Sequence, residues 1–203
     1  MPVHLETPSP GHAKAFLEAV HRSRSLHRGL VSPPRDRERY REYLDRCSRS
    51  TNEGHLVCLA DGELVGVINV SEIVRGVFQS AYLGFYAFAP HQGQGHMSAG
   101  LGLVIASAFR KSHLHRLEAN IQPKNLRSIA LVKRLGFRLE GLSPRYLKIS
   151  GRWRDHERWA ITIEDWRGRR AGAQPWMRYA GTIETGDPRA SQKIDHVVYR
   201  RKD

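Results

Sequence analysis

The order of apolar-periodic segments predicts an α/β fold built on a mixed, mostly antiparallel sheet flanked by helices. Three observations carry the prediction. Two runs rich in Val, Leu and Ile flank Asp61-Gly62, a strong hairpin signal. An aromatic run leads through a glycine-bearing turn straight into an apolar helix pattern, and strand-like and helix-like segments alternate through the second half.

Residues 3–7 read as a short strand, broken by Pro8-Ser9-Pro10-Gly11 before a helical pattern over residues 13–26. After Gly29 and Ser32-Pro33-Pro34, the charged segment 35–47 places Tyr40, Tyr43, Leu44 and Cys47 at helical spacing, which predicts a second helix. Residues 55–59 and 63–70 form the antiparallel pair around Asp61-Gly62, and residues 79–88, crowded with Tyr and Phe, form a third strand ending at Ala89-Pro90. The turn at residues 91–96 then opens a helix over residues 97–111. A strand is expected at 116–121, followed by a helix over 125–135 capped by Asn125 and closed by Gly136. Strands at 137–149 and 153–163 complete the sheet, with Gly151 marking the turn between them.

At 203 residues with 40% hydrophobic content, the chain suits one compact domain plus an extension. The domain is expected over residues 1–166, and the composition of residues 167–172 suits a flexible basic linker opening a C-terminal extension over 167–203. A short helix is expected within it at residues 188–199, and this tail faintly resembles the C-terminal segments of small bacterial antitoxins. The longest apolar stretch, residues 101–109, falls short of the about twenty residues of a bilayer span. With no signal-like N-terminus, a soluble, cytoplasmic protein without membrane association is expected. Cys47 and Cys58 lack metal-ligand spacing, and the close pair His113 and His115 has no Cys, Asp or Glu cluster beside it, so no metal is expected. Net charge is +13, of which +8 falls in residues 1–166 and +5 beyond. This excess points to anionic partners, including direct nucleic-acid contact, or to a merely solvated basic surface.

Gly93 and Gly95, leading directly into a helix, leave several backbone N–H groups without intrahelical partners and pointing outward, a ready anion site. The sequence lacks the Walker spacing and a full G-x-G-x-x-G, so triphosphate and dinucleotide readings lose ground.

The run Phe88-Ala89-Pro90-His91-Gln92-Gly93-Gln94-Gly95-His96-Met97 resembles the acetyl-CoA loop of GNAT acetyltransferases, R/Q-x-x-G-x-G/A, with Gln92 in the first place, Gly95 in the fourth and Met97 replacing the final small residue. Arg116-Leu117-Glu118-Ala119-Asn120, Asn125-Leu126-Arg127-Ser128, Leu135-Gly136-Phe137 and Glu140-Gly141 then follow in the order of the RimJ/RimL-like branch. Tyr146-Leu147 and Gly151-Arg152-Trp153-Arg154-Asp155-His156 look specifically like the ribosomal-protein-alanine N-acetyltransferases. The likeness covers residues 3 to about 166.

This resemblance implies a GNAT fold whose two central strands, residues 79–88 and 116–121, splay to admit the pantetheine arm of acetyl-CoA. Backbone N–H groups around Tyr86, Ala87 and Phe88 are expected to bond that arm, and Gln92, Gly93, Gln94, Gly95, His96 and Met97 the diphosphate. Asn125 is expected both to cap its helix and to touch the cofactor. The implied chemistry is direct attack of an amine on the thioester in a ternary complex. Glu118 is a candidate base, the alternative being a carboxylate paired with a nearby Arg. Ser128 matches the family serine that assists the departing thiolate, with Tyr146 as a substitute donor and a plain helix residue as the alternative for Ser128. Trp153, Asp155 and His156 are expected to shape the peptide entrance or fold the last hairpin. An α-amine titrates at about 7.7 to 8.0 and needs less help from a base than lysine near about 10.4, which favours a protein N-terminus as acceptor, with a ribosomal protein the expected class. A small-molecule amine, aminoacyl-tRNA or a non-catalytic acetyl-CoA-binding regulatory module are the alternatives, in a monomer or homodimer.

Overall fold

The computed structural model describes residues 2–169 of the chain. Seven strands form one sheet in the order β1-β2-β3-β4-β5-β7-β6, comprising β1 (Val3–Glu6), β2 (Glu53–Leu59), β3 (Leu64–Val74), β4 (Ser80–Ala87), β5 (Arg116–Ile121), β6 (Arg138–Ile149) and β7 (Arg152–Thr162). The helices are α1 (Ala13–Arg22), α2 (Arg24–His27), α3 (Arg37–Cys47), α4 (His96–Arg110), α5 (Leu126–Leu135) and α6 (Ile163–Arg169). Every strand pair is antiparallel except β4 with β5. The expected mixed, mostly antiparallel sheet flanked by helices is the observed architecture.

Strand alternation divides the interior into two apolar layers. On one face Val57, Ile68, Leu83, Leu117, Ala119 and Ile161 pack with Val104, Ile105 and Phe109 of α4 and with Ile129 and Val132 of α5. On the other, Leu56, Cys58, Leu64 and Val67 pack with Phe16 of α1 and Tyr40 and Tyr43 of α3.

The parallel pairing of β4 and β5 covers only Ser80 to Tyr82 opposite Arg116 to Glu118. Beyond that point β4 stays paired with β3 as far as Ala87 and β5 with β7 as far as Ile121. The two central strands therefore separate, leaving their facing backbone edges open.

Local differences from the sequence expectations have local causes. The helix expected over residues 13–26 is broken at Ser23, whose Oγ donates to Ala19 O (2.7 Å) and accepts from Ala89 N–H (2.9 Å). The second helix starts two residues later than expected because Asp36 caps it, accepting from Arg39 N–H at 2.8 Å. After β7 the chain turns into α6 through a capping box: Thr162 Oγ1 and the Asp165 N–H, and Asp165 Oδ2 and the Thr162 N–H, pair at 3.4 and 3.2 Å. The helix reaches Arg169; the expected helix at residues 188–199 and the antitoxin-like tail lie outside the described residues.

Candidate active site

The N-terminus of α4 is built to receive an anion. Gly95 occupies the N-cap position with φ +86°, a left-handed conformation that a Cβ would strain. The first intrahelical bonds run from Ser98 and Ala99 N–H to Gly95 O (3.0 and 3.1 Å), so the His96 and Met97 N–H groups precede the ladder and face out of the helix end. Gly66 on β3 brings this helix end close to β4: a Cβ there would lie 2.4 Å from Met97 Sδ and 2.6 Å from Tyr86 O.

Two cavities meet at Gln92, and the first of them is walled by this helix end. One, of about 440 Å³, is walled by Phe85, Ala87, Gln92, Gly93, Gly95, Met97 and Ser98, with Arg127, Ser128 and Arg134 from α5. The other, of about 460 Å³, is walled by Leu26, His27, Leu30 and Val31, with Lys124, Asn125 and Ser128. Phe85, Tyr86, Ala87, Gln92, Arg127 and Ser128 belong to both walls, so the two are lobes of one cleft that passes the open edge of β4.

The cleft gathers most of the residues expected to bind cofactor: Tyr86, Ala87, Gln92, Gly93, Gly95, Met97 and Asn125, together with Ser128. Asn125 caps α5, its Oδ1 accepting from Ser128 N–H at 3.3 Å. The Gln94 side chain is instead engaged within the loop, donating from Nε2 to Pro90 O (3.2 Å) and pairing through Oε1 with the buried His96 Nε2 (3.2 Å). Burial, with the nearby His91 adding to it, lowers the His96 pKa.

Phe88 requires a correction. Its N–H donates to Val65 O at 2.7 Å, and its ring is fully buried among Phe16 and Tyr86, so it offers the cleft no donor. Strand alternation turns the Tyr86 N–H toward β3 as well and the Phe85 and Ala87 N–H groups toward the open edge. Phe85, not Phe88, is the neighbour of Ala87 that contributes a backbone donor there.

The three expected catalytic residues do not converge. Ser128 walls both lobes, whereas Glu118 and Tyr146 wall neither. Glu118 accepts from Arg116 Nε at 2.8 Å, and Arg116 also binds Glu140 through both Nη atoms. The Tyr82 hydroxyl feels Tyr146, and its pKa is pushed up to about 12, chiefly by that neighbouring hydroxyl and then by burial. Asp155 accepts from Arg145 N–H (2.7 Å) across the β6–β7 hairpin, and His156 is buried beside Tyr146, which accords with a hairpin-folding role, while Trp153 is exposed.

Sequence reasoning missed His27, Arg127 and Arg134. His27 is buried, donates from Nε2 to Ala87 O at 2.9 Å and packs edge-on against Tyr86. Its Nδ1 and Asn120 Oδ1, on β5 two residues beyond the last pairing with β4, are buried without partners. His27 walls the cleft, so its orphan Nδ1 is a group a bound molecule can satisfy. Arg127 and Arg134 lie seven residues apart on α5 and so share a face, a spacing visible in the sequence.

A helix end rich in unpaired N–H groups, two flanking guanidinium groups and an open strand edge fit a long molecule with anionic phosphates at one end and amides along its arm. On β1 and β2, His4, Glu6 and Cys58 bring ligand-type atoms within 4.8 Å of one another, and His4 and His12 hydrogen-bond the two Glu6 oxygens. Among the described residues no helix is long and apolar enough to cross a membrane.

Comparison with known proteins agrees with this geometry. Residues 3–138 match the acetyltransferase (GNAT) domain family. The chain is 35% identical over 131 residues to the "Probable N-acetyltransferase YjcK" of Bacillus subtilis, covering 64% of this chain and 72% of that protein. It is 45% identical over 104 residues to the "[Ribosomal protein uS5]-alanine N-acetyltransferase" of Escherichia coli, covering 51% of this chain and about half of the relative, 54%. Among solved structures, "Mycobacterium smegmatis RimJ in complex with CoA-disulfide" superposes with a TM-score of 0.73 at 27% identity, covering 83% of this chain and 88% of that one. The chain belongs to the acetyltransferase (GNAT) domain family and is an N-acetyltransferase.

Proposed function

We propose that the chain transfers the acetyl group of acetyl-CoA to the N-terminal α-amine of a protein, with a ribosomal protein as the acceptor class. The observation that carries this reading is the continuous cleft: its α4 end suits diphosphate, its middle follows the open edge of β4, and Ser128 stands in the wall common to both lobes. The 45% identity over 104 residues to an enzyme named as an alanine N-acetyltransferase of ribosomal protein uS5 supports the acceptor.

In this reading the Phe85 and Ala87 N–H groups bond the pantetheine arm and polarise the thioester carbonyl, while the N–H groups at Gly95, His96 and Met97, with Arg127 and Arg134, hold the phosphates. The neutral amine enters from the His27 lobe and its lone pair attacks the thioester carbon. The C–N bond forms, the C–S bond breaks, and the amine proton travels by way of water to the departing thiolate, with Ser128 Oγ handing its own proton to sulfur and taking one back from that water. Because an α-amine is substantially deprotonated near neutral pH, orientation contributes more to the rate than a strong base does. Glu118, held by Arg116, serves this scheme as a structural partner.

The test is incubation with labelled acetyl-CoA and purified ribosomal proteins, followed by mapping of the labelled residue. Label on an N-terminal amine supports the reading; label only on lysine side chains or on small amines refutes it.

A further inference from the structure

The geometry points to a basic pocket, next along the chain to the His27 lobe of the cleft, that selects acceptor peptides carrying acidic side chains a few residues after the acetylated amine. This rests on the reading that the acceptor is a protein N-terminus. Leu30 and Val31 wall the cleft, and the chain passes directly into Ser32, which with Arg35, Arg39, Glu42, Arg46 and Ser150 walls a separate pocket of about 420 Å³.

Three guanidinium groups meet one carboxylate in that wall. Arg39 and Arg46 lie seven residues apart on α3 and share a face, and Arg35 precedes the Asp36 cap. Their existing partners are weak: Arg39 Nε is 3.7 Å from Asp36 Oδ2 in an exposed pair, and Arg46 stands 6.0 Å from the Tyr43 ring centroid. The positive field reaches the cleft itself. Burial is the main cause of the lowered His27 pKa, and the Arg35 charge lowers it further.

The four steps of chain from Val31 to Arg35 span at most about 14 Å. An extended peptide whose amine lies in the cleft would thus present its third to fifth side chains to the arginines. Carboxylates there can pair bidentately with guanidinium groups, whereas a polyamine would be repelled. An RNA strand would require an extended basic stripe with aromatic platforms, but on α3 the arginines are interleaved with Glu38, Glu42 and Asp45, so no such stripe runs along the helix.

The experiment measures kcat/KM for alanine-terminated peptides that are identical except for Glu, Gln or Lys at positions 3 to 5, at low salt, with the wild type and the exposed-site variants Arg39→Gln/Arg46→Gln and Arg39→Glu/Arg46→Glu. The expected result is at least a tenfold preference for Glu over Gln in the wild type. In the Gln variant that preference should collapse toward unity while the Gln peptide and the KM for acetyl-CoA stay within about twofold of wild type. In the Glu variant it should invert toward the Lys peptide. Equal wild-type rates on all three peptides, or a preference that survives both variants, would overturn the inference while leaving N-terminal acetylation standing. Inhibition by an RNA oligonucleotide that the variants abolish, without any peptide preference, would reassign the pocket to RNA. Turnover of spermidine with none of any peptide would instead refute the acceptor reading itself.

Discussion

His27 donates from Nε2 to the carbonyl oxygen of Ala87 across 2.9 Å, joining α2 to the last residue of β4. Because a carbonyl only accepts, the proton of the neutral ring sits on Nε2 and the buried Nδ1 is bare. One imidazole thereby ties the lobe walled by Leu26, Leu30 and Val31 to the strand edge that faces it.

That arrangement makes stability depend on pH in a defined window. Burial lowers the folded-state pKa of His27, and of His96, below the ordinary imidazole value of about 6.5. Between those values the unfolded chain binds protons that the folded chain refuses, so stability is full above about pH 6.5 and declines as pH falls. The carboxylates with lowered pKa, such as Glu6 and Glu53, act only below their own ordinary range near 4.5. Thermal melts should show Tm falling between pH 6.5 and 5, with a shallower slope in His27→Gln. His27→Ala, which leaves Ala87 O unpaired, should cost about 1 to 3 kcal/mol at pH 7.5. A flat wild-type Tm across that window would contradict the argument.

Gly66 sets how closely the α4 helix end approaches β4. An added Cβ meets Met97 Sδ, which can swing aside, and Tyr86 O, which is backbone and cannot move without shifting the open strand edge. Gly66→Ala should therefore cost about 1 to 3 kcal/mol and raise the KM for acetyl-CoA severalfold, with a smaller change in the KM for peptide. Equal changes in both constants would place the effect elsewhere.

The scaffold was legible where the signals are local. Asp61-Gly62 predicts the β2–β3 turn, observed with Gly62 N–H bonded to Leu59 O at 2.9 Å and φ of +85°. Asn125 predicts the cap of α5, and the Gly93 and Gly95 turn predicts the start of α4 to within one residue. What escaped is non-local. Ser23 looks like an ordinary helical serine until Ala89, 66 residues away, donates to it, and His27 looks like one of eleven histidines until Ala87 is placed beside it. Phe88 was misread because the side of the strand to which an N–H points depends on pairing register, fixed here by Val65. The Thr162 to Asp165 capping box, by contrast, is a local signal carried by the Thr-x-x-Asp spacing of the sequence itself.

Asn125 combines two duties that one substitution series separates. Its Oδ1 satisfies the Ser128 N–H at the start of α5, and its side chain also walls the His27 lobe. Asn125→Ala should cost about 1 kcal/mol through the lost cap. Asn125→Asp keeps the acceptor and should recover that stability. If cofactor contact matters as well, Asn125→Asp will still show a raised KM for acetyl-CoA, because the amide N–H₂ is gone and a negative charge faces an anionic ligand. Full recovery of both stability and KM would reduce Asn125 to a cap.

Glu118 and Ser128 stand on opposite sides of the question of what moves protons. Glu118 is only 16% exposed in its side chain and is held by Arg116, which also grips Glu140. A base must exchange its proton with the attacking amine, and a carboxylate committed to a guanidinium is poorly placed to do so. Ser128 walls both lobes of the cleft, and its N–H is already satisfied by Asn125, which fixes the backbone from which Oγ projects. Glu118→Gln should thus leave the ascending limb of the pH profile of kcat/KM where the peptide amine titrates, about 7.7 to 8.0, and cost about 1 kcal/mol of stability. Ser128→Ala should lower kcat roughly a hundredfold with little change in the KM for either substrate. An ascending limb that disappears in Glu118→Gln, or full turnover in Ser128→Ala, would move the proton chemistry to the Arg116 cluster and require β4 and β5 to rearrange when acetyl-CoA binds.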